Sequence, residues 1–153
     1  MQEEPNVLAN YKPYTIFNNM VFISGQLPFR NKKLIYEGKV EENLSLSDAK
    51  KAIFVTTINM LNLLCWIMKI ENFKSKRIKA LNIKGYINSK PGFSDHSVLF
   101  NEASDTIINI LGEEDGTHSR SVIGVNSLPL NSPVEIEGMF SISDNSWKIV
   151  SIE

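Results

Sequence analysis

Between residues 117 and 142 the chain reads THSRSVIGVNSLPLNSPVEIEGMFSI, two strand patterns flanking a proline-bearing turn. Arg120 is the residue that constrains what this segment can be. Ser119 to Val125 divides into Arg120, Val122 and Gly124 on one side and Ser121, Ile123 and Val125 on the other. Both sets are largely small or β-branched, the pattern of a strand covered on both faces. A guanidinium in such a strand needs a counter-charge or an anionic ligand, because burying an unpaired cation is costly. Val134 to Ile142 then alternates strictly and puts Glu135 and Glu137 on one face, with Met139 and Ser141. The turn SLPLNSP brings the two strands next to each other or one apart. Read on their own, these residues favour a structural Arg–Glu pair over a site for an acid.

The rest of the pattern surrounds that segment. Tyr11–Thr15 and Met20–Ser24 read as strands around Asn18-Asn19, residues that tolerate the positive φ of a tight hairpin. Ser24-Gly25-Gln26 ends the second strand, and Gly25 there permits close backbone approach. A short strand is predicted at Leu34–Tyr36. Ser45-Leu46-Ser47-Asp48 has capping-box spacing and opens a helix to about Met68 whose apolar residues recur at three- and four-residue steps. Cys65 lies in it as a small buried hydrophobe. Lys79–Ile87 alternates as a strand, and Asn88–Ser94 is a loop with a Pro-Gly turn. Ser94 or Asp95 then caps a second helix, which carries an apolar stripe from Leu99 to Leu111 and ends at Gly112. A last strand is predicted at Trp147–Ile152. Strands interleaved with two long helices predict an α+β fold, a single domain over 1–153 with one mixed sheet and both helices on one face. The uncovered face predicts oligomerisation through it.

Composition excludes several function classes. The 16 basic and 17 acidic residues give a net charge of −1 and a pI near 6.1, with no electrostatic footprint for nucleic acid or an anionic membrane. The single cysteine permits no internal disulfide and fits a reducing, cytoplasmic setting. MQEEPNVLANY lacks the basic start and apolar core of a signal peptide. Ala52–Met68, interrupted by Thr56, Thr57, Asn59 and Asn62, falls short of a membrane span. The glycines are scattered singly, so no phosphate-cradling loop is present. His96, His118 and Cys65 show no metal-ligand spacing, and the two histidines read as surface or capping residues. No G-x-S-x-G elbow accompanies a serine.

Taken together, Tyr11, NMVFISGQLP at 19–28, Asn101 on the second helix, SRSVIGVNSLP at 119–129 and PVEIE at 133–137 give a pattern that resembles the RidA/YjgF family of enamine/imine deaminases across nearly the whole chain. The resemblance implies a chorismate-mutase-like fold and a homotrimer with clefts between subunits. It implies that Arg120 grips a substrate carboxylate and that Glu135 holds the hydrolytic water. Tyr11, Ser24 and Asn101 would line the same pocket, as would Val122, which stands where many of the deaminases carry a cysteine. The implied reaction is hydrolysis of a 2-imino or 2-enamino acid to the 2-keto acid and ammonia, without metal or cofactor. Lys90-Pro91-Gly92-Phe93 lengthens a loop and, with HSRSVIGV, marks a distinct subgroup. Two further readings stay open: a trimeric module that binds small carboxylates or keto acids without turnover, and the endoribonuclease activity for which the family was formerly labelled. Glu137 reads as structural or solvent-facing.

Overall fold

The computed structural model describes residues 10–73 and 76–144. Trp147–Ile152 therefore lies outside the described residues. The chain opens with a hairpin of β1 (Tyr14–Phe17) and β2 (Met20–Gln26). Asn18 and Asn19 turn it at φ 46° and 61°, so the twin asparagines supply the left-handed backbone of a primed turn. The first strand begins at Tyr14, three residues later than the alternation indicates. A minimal hairpin, β3 (Phe29–Arg30) with β4 (Lys33–Leu34), takes the place of the strand predicted at Leu34–Tyr36. Then come α1 (Leu46–Ile70), β5 (Arg77–Asn88), α2 (His96–Leu99), α3 (Asn101–Leu111), α4 (Glu113–Gly116), β6 (Ser119–Val125) and β7 (Val134–Ser143). Five strands form one mixed sheet in the order β1-β2-β7-β5-β6, antiparallel except for the β5–β6 pair.

Ser45 starts α1 as its spacing predicts, with Oγ accepting from the Asp48 N–H at 3.1 Å. The helix has 25 residues and an 18-residue window of mean hydropathy 1.6, so by length and composition alone it could cross a membrane, contrary to the sequence expectation. Its apolar residues nevertheless have a destination within the fold. Ala52, Ile53, Met60, Leu64 and Ile67 are buried with Val21, Ile83, Ile136 and Phe140 of the sheet in one core. The polar interruptions are also accounted for. Thr56 and Thr57 donate to the carbonyls of Ala52 and Ile53, each at 2.8 Å, and the Asn59 amide donates to the carbonyls of Leu27 and Phe29. Cys65 is exposed rather than buried, because its position turns with Asn62 and Lys69 to the outside of the helix.

The second helix is broken where continuity is expected. Phe100, at φ −77° and ψ −5°, separates α2 from α3, and its fully buried ring lies on Gly85 of β5, where a methyl group would overlap the ring. The glycine makes the pocket and the aromatic fills it. Asp95 supplies no side-chain cap, so the expected cap at this end is absent. Gly112 ends α3 at φ 86°, as its position predicts.

Among the described residues β6 is an edge strand, and Ser121 and Ile123 are exposed on the sheet's uncovered side, so there it is covered on one face only. That uncovered side is mixed in character. Phe22 and Met139 sit among Asn82, Lys84 and Glu137 around a depression of about 260 Å³. Because Phe100 carries the packing between the broken helix and β5, Phe100→Ala should cost about 3–5 kcal/mol of unfolding free energy in a urea titration. A loss below ~1 kcal/mol would show that the helix break does not rest on that ring.

Candidate functional site

Strand alternation and helix spacing together place Arg120. On β6, Arg120, Val122 and Gly124 face the broken helix, and Gly124 leaves room for the His96 ring, which a methyl group there would strike. On the helix, Ser97, Asn101 and Ser104 recur at steps of four and three and so form one stripe. The guanidinium meets that stripe. Nη1 donates to Ser104 Oγ at 3.0 Å, and Nη2 donates to the Ser97 carbonyl at 3.0 Å and to Asn101 Oδ1 at 2.8 Å. The Phe100 ring lies beneath, 5.9 Å from Cζ to its centroid. Every one of these partners is neutral. Among the described residues no carboxylate comes within ion-pair distance of Arg120, so its positive charge stays uncompensated.

The structural Arg–Glu pair is thus not formed in the chain. Glu137 is committed elsewhere, to Lys84 Nζ at 2.9 Å across the uncovered face. Glu135 shares that face, opposite Tyr86 of β5. Its carboxyl lies over Gly25, where any side chain would overlap it. A β-bulge between Ile23 and Gln26 sets Gly25 there, which gives the close approach expected of this glycine a definite partner. Burial raises the Glu135 pKa above the ordinary carboxylate value, and the nearby Glu137 charge raises it further. Beside it, Ser24 Oγ donates to the Lys12 carbonyl at 2.7 Å and ties the segment carrying Tyr11 to the end of β2. Tyr11 itself is exposed.

The sequence-predicted residues therefore fall into two groups. Arg120, Asn101 and Val122 stand on the helix-covered side of the β6 edge. Glu135 stands with Gly25 and Ser24 on the other side of the sheet. Ile83 is opposite both Arg120 and Gly138, and Glu135 is three residues from Gly138. Two strand spacings across and three residues along give a Cα separation of roughly 14 Å, with the side chains pointing to opposite faces. One chain cannot present both to one small molecule. Three residues that hold Arg120, namely Ser97, Phe100 and Ser104, were not singled out by the motifs. The i, i+4, i+7 stripe Ser97-Asn101-Ser104 was the available signal.

The family model described as "YjgF/chorismate_mutase-like, putative endoribonuclease" matches residues 1–140. The chain belongs to the YjgF/RidA family. Protein TCP17 of Trypanosoma cruzi is 27% identical over 136 residues, which span 89% of this chain and 83% of that protein. Among solved structures, Atu1372 of Agrobacterium tumefaciens, described as of unknown function, superposes with a TM-score of 0.78 at 32% identity over 88% of this chain and 83% of that one. A protein of Shewanella oneidensis described as a putative endoribonuclease superposes with a TM-score of 0.79 at 26% identity, over 91% of this chain and 89% of that one. The YjgF-like, chorismate-mutase-like architecture read from the motifs is the architecture observed.

The raised Glu135 pKa has a consequence for stability. A carboxyl whose pKa is higher folded than unfolded favours the fold while protonated, and that contribution is lost as pH rises through the folded value. Glu135→Gln removes the ionisation. The variant should melt higher than wild type at pH 7, and the difference should vanish near pH 3.5, below the ordinary glutamate pKa of roughly 4.3. Equal melting temperatures at pH 7 would contradict the assigned burial.

Proposed function

We propose that this YjgF/RidA-family protein hydrolyses small 2-imino or 2-enamino acids, such as 2-aminoacrylate or 2-iminobutanoate, to 2-keto acids and ammonia. We place the reaction in clefts between copies of the chain assembled as a homotrimer. The observation that carries the reading is the uncompensated charge of Arg120, held in position by neutral acceptors alone. Its Nε–H and one Nη1–H have no partner among the described residues and can each donate to a carboxylate oxygen, with Asn101 as the polar neighbour.

The opposite placement of Glu135 supports a shared site. An Arg120 edge from one copy set against the Ser24–Gly25–Glu135 edge of the next brings anchor and carboxyl together without moving either within its own chain. The chemistry asked of the pair is modest. The imine carbon is already electrophilic, so anchoring the acid, orienting one water and assisting proton transfer suffice. Water adds to the C=N carbon while Glu135 takes one of its protons and returns it to nitrogen, which gives a carbinolamine. Glu135 then carries the hydroxyl proton to the same nitrogen, the C–N bond breaks, and ammonia leaves as the carbonyl forms. A carboxyl with a raised pKa holds and returns a proton more readily than an ordinary glutamate does. Val122 gives the cleft an apolar wall.

RNA cleavage, the activity in the family's older label, is the less favoured reading, since a net charge of −1 offers little for a phosphate backbone. Binding without turnover is the second reading, favoured by Val122 in place of the cysteine of many of the deaminases and by the Lys90-Pro91-Gly92-Phe93 loop. Ammonia release from enzymatically generated 2-iminobutanoate distinguishes them. The wild type should accelerate release. Arg120→Ala should lose about 3 kcal/mol of charge-assisted bonding, a roughly 100-fold fall in kcat/KM. Arg120→Lys should recover little of it, since an ammonium lacks the planar fork. No acceleration by the wild type, together with a melting shift on adding 2-ketobutyrate, would replace the deaminase by the binding module.

A further inference from the structure

The three acceptors on Arg120 differ in one respect. The Ser97 carbonyl and the Asn101 amide oxygen have fixed lone pairs, whereas Ser104 Oγ can turn, and where its lone pairs aim depends on where its own proton goes. A guanidinium only donates, so Ser104 must accept from Arg120 Nη1 and send its O–H elsewhere. His118 Nε2 lies 3.1 Å from Ser104 Oγ. The other ring nitrogen, Nδ1, lies 2.5 Å from the Gly116 carbonyl. A carbonyl only accepts, so Nδ1 carries a proton, and in the neutral ring Nε2 is left to receive the serine proton. The far end of this chain is itself fixed. Gly116 N–H donates to the Gly112 carbonyl at 2.7 Å, and its Cα packs so closely on the Ile108 backbone that a methyl group would overlap it.

We propose that Ser104 and His118 are positioning residues for Arg120, a hydrogen-bond relay from Gly116 that fixes the plane of the guanidinium so that its unpartnered N–H groups are presented ready-aligned to a carboxylate. The proposal rests on reading Arg120 as the carboxylate anchor. The fold supports the relay at both ends. His118 is two residues before Arg120 on the approach to the strand, hence on the same side, and Ser104 is three residues beyond Asn101 on the helix, hence on the same stripe. Holding Nη1 and Nη2 at once, over the Phe100 ring, removes the rotation that a long side chain would otherwise lose only on binding. An imidazole in this place is neither a ligand to substrate nor a surface residue; it acts through the serine.

The test reads the guanidinium directly by nitrogen-15 NMR of arginine side chains, with the Arg120 signals assigned by their loss in Arg120→Lys. In the wild type, rotation about Nε–Cζ should be slow enough to resolve Nη1 from Nη2. Ser104→Ala and His118→Leu should each speed that rotation and weaken binding of 2-ketobutyrate roughly tenfold, the loss of one hydrogen bond to a charged group. His118→Gln, whose Oε1 can still accept from Ser104, should stay within about twofold of wild type in both. Ser104→Ala lies inside α3, where alanine is well tolerated, and keeps the test open should His118→Leu fail to fold. Unchanged rotation and affinity in Ser104→Ala would overturn the relay, as would a His118→Gln variant as impaired as His118→Leu. Failure of wild type to bind the keto acid would count against the anchor reading, while the rotation rates still decide the relay.

Discussion

The charge of Arg120 is uncompensated, since no carboxylate among the described residues forms an ion pair with it. Glu137, on the other side of the sheet, pairs with Lys84. What surrounds the guanidinium instead is a carbonyl, an amide, a hydroxyl and an aromatic face. Neutral acceptors orient a cation without cancelling it. A carboxylate partner in the same place would have bound more strongly and left nothing for an incoming acid. The broken helix serves this arrangement, since Phe100 sinks into the space over Gly85 and brings Ser97, Asn101 and Ser104 to one side of the β6 edge.

The second constraint is the period of a strand. Arg120 stands in register with Ile83 and Gly138, which face the core, whereas Glu135 stands in register with Tyr86 on the uncovered side. No adjustment of rotamers brings the two together. Each half is finished in its own right: one holds a charge in position, and the other holds a desolvated carboxyl over a glycine. In the proposed assembly the two halves become complementary across a boundary between copies, which would join the uncovered face and the exposed β6 edge to the chemistry. Desolvating Glu135 costs stability at neutral pH, a cost expected of a group kept for function rather than for the fold.

Much of this was legible in the sequence, for identifiable reasons. Asn18-Asn19, the Ser45 cap, the alternation of β7 and the stop at Gly112 each express a local rule that tertiary contacts left intact. The misses came where tertiary contacts decided. Phe100 interrupts a helix that its periodicity describes as continuous, because Gly85, fifteen positions earlier in the sequence, opens a space for its ring. Cys65 is exposed because α1 is apolar over a wide arc, and composition alone does not say which residues of such an arc face outward. The two-faced cover read into β6 is not found, because Ser121 and Ile123 are exposed and only the helix side is covered. At the site, Arg120 and Glu135 stood out as charges in strand patterns. Ser104 and His118 did not, since a serine on a helix and a histidine in a turn acquire meaning only when the Arg120 side chain is found on the serine.

The most direct test of the divided site is to mix subunits. Chains carrying Arg120→Ala and chains carrying Glu135→Gln, each inactive alone toward 2-iminobutanoate, would be unfolded together, refolded and assayed for ammonia release. If one copy supplies Arg120 and its neighbour supplies Glu135, random assortment restores about a quarter of wild-type activity. A mixture no more active than the two variants assayed separately would contradict the account.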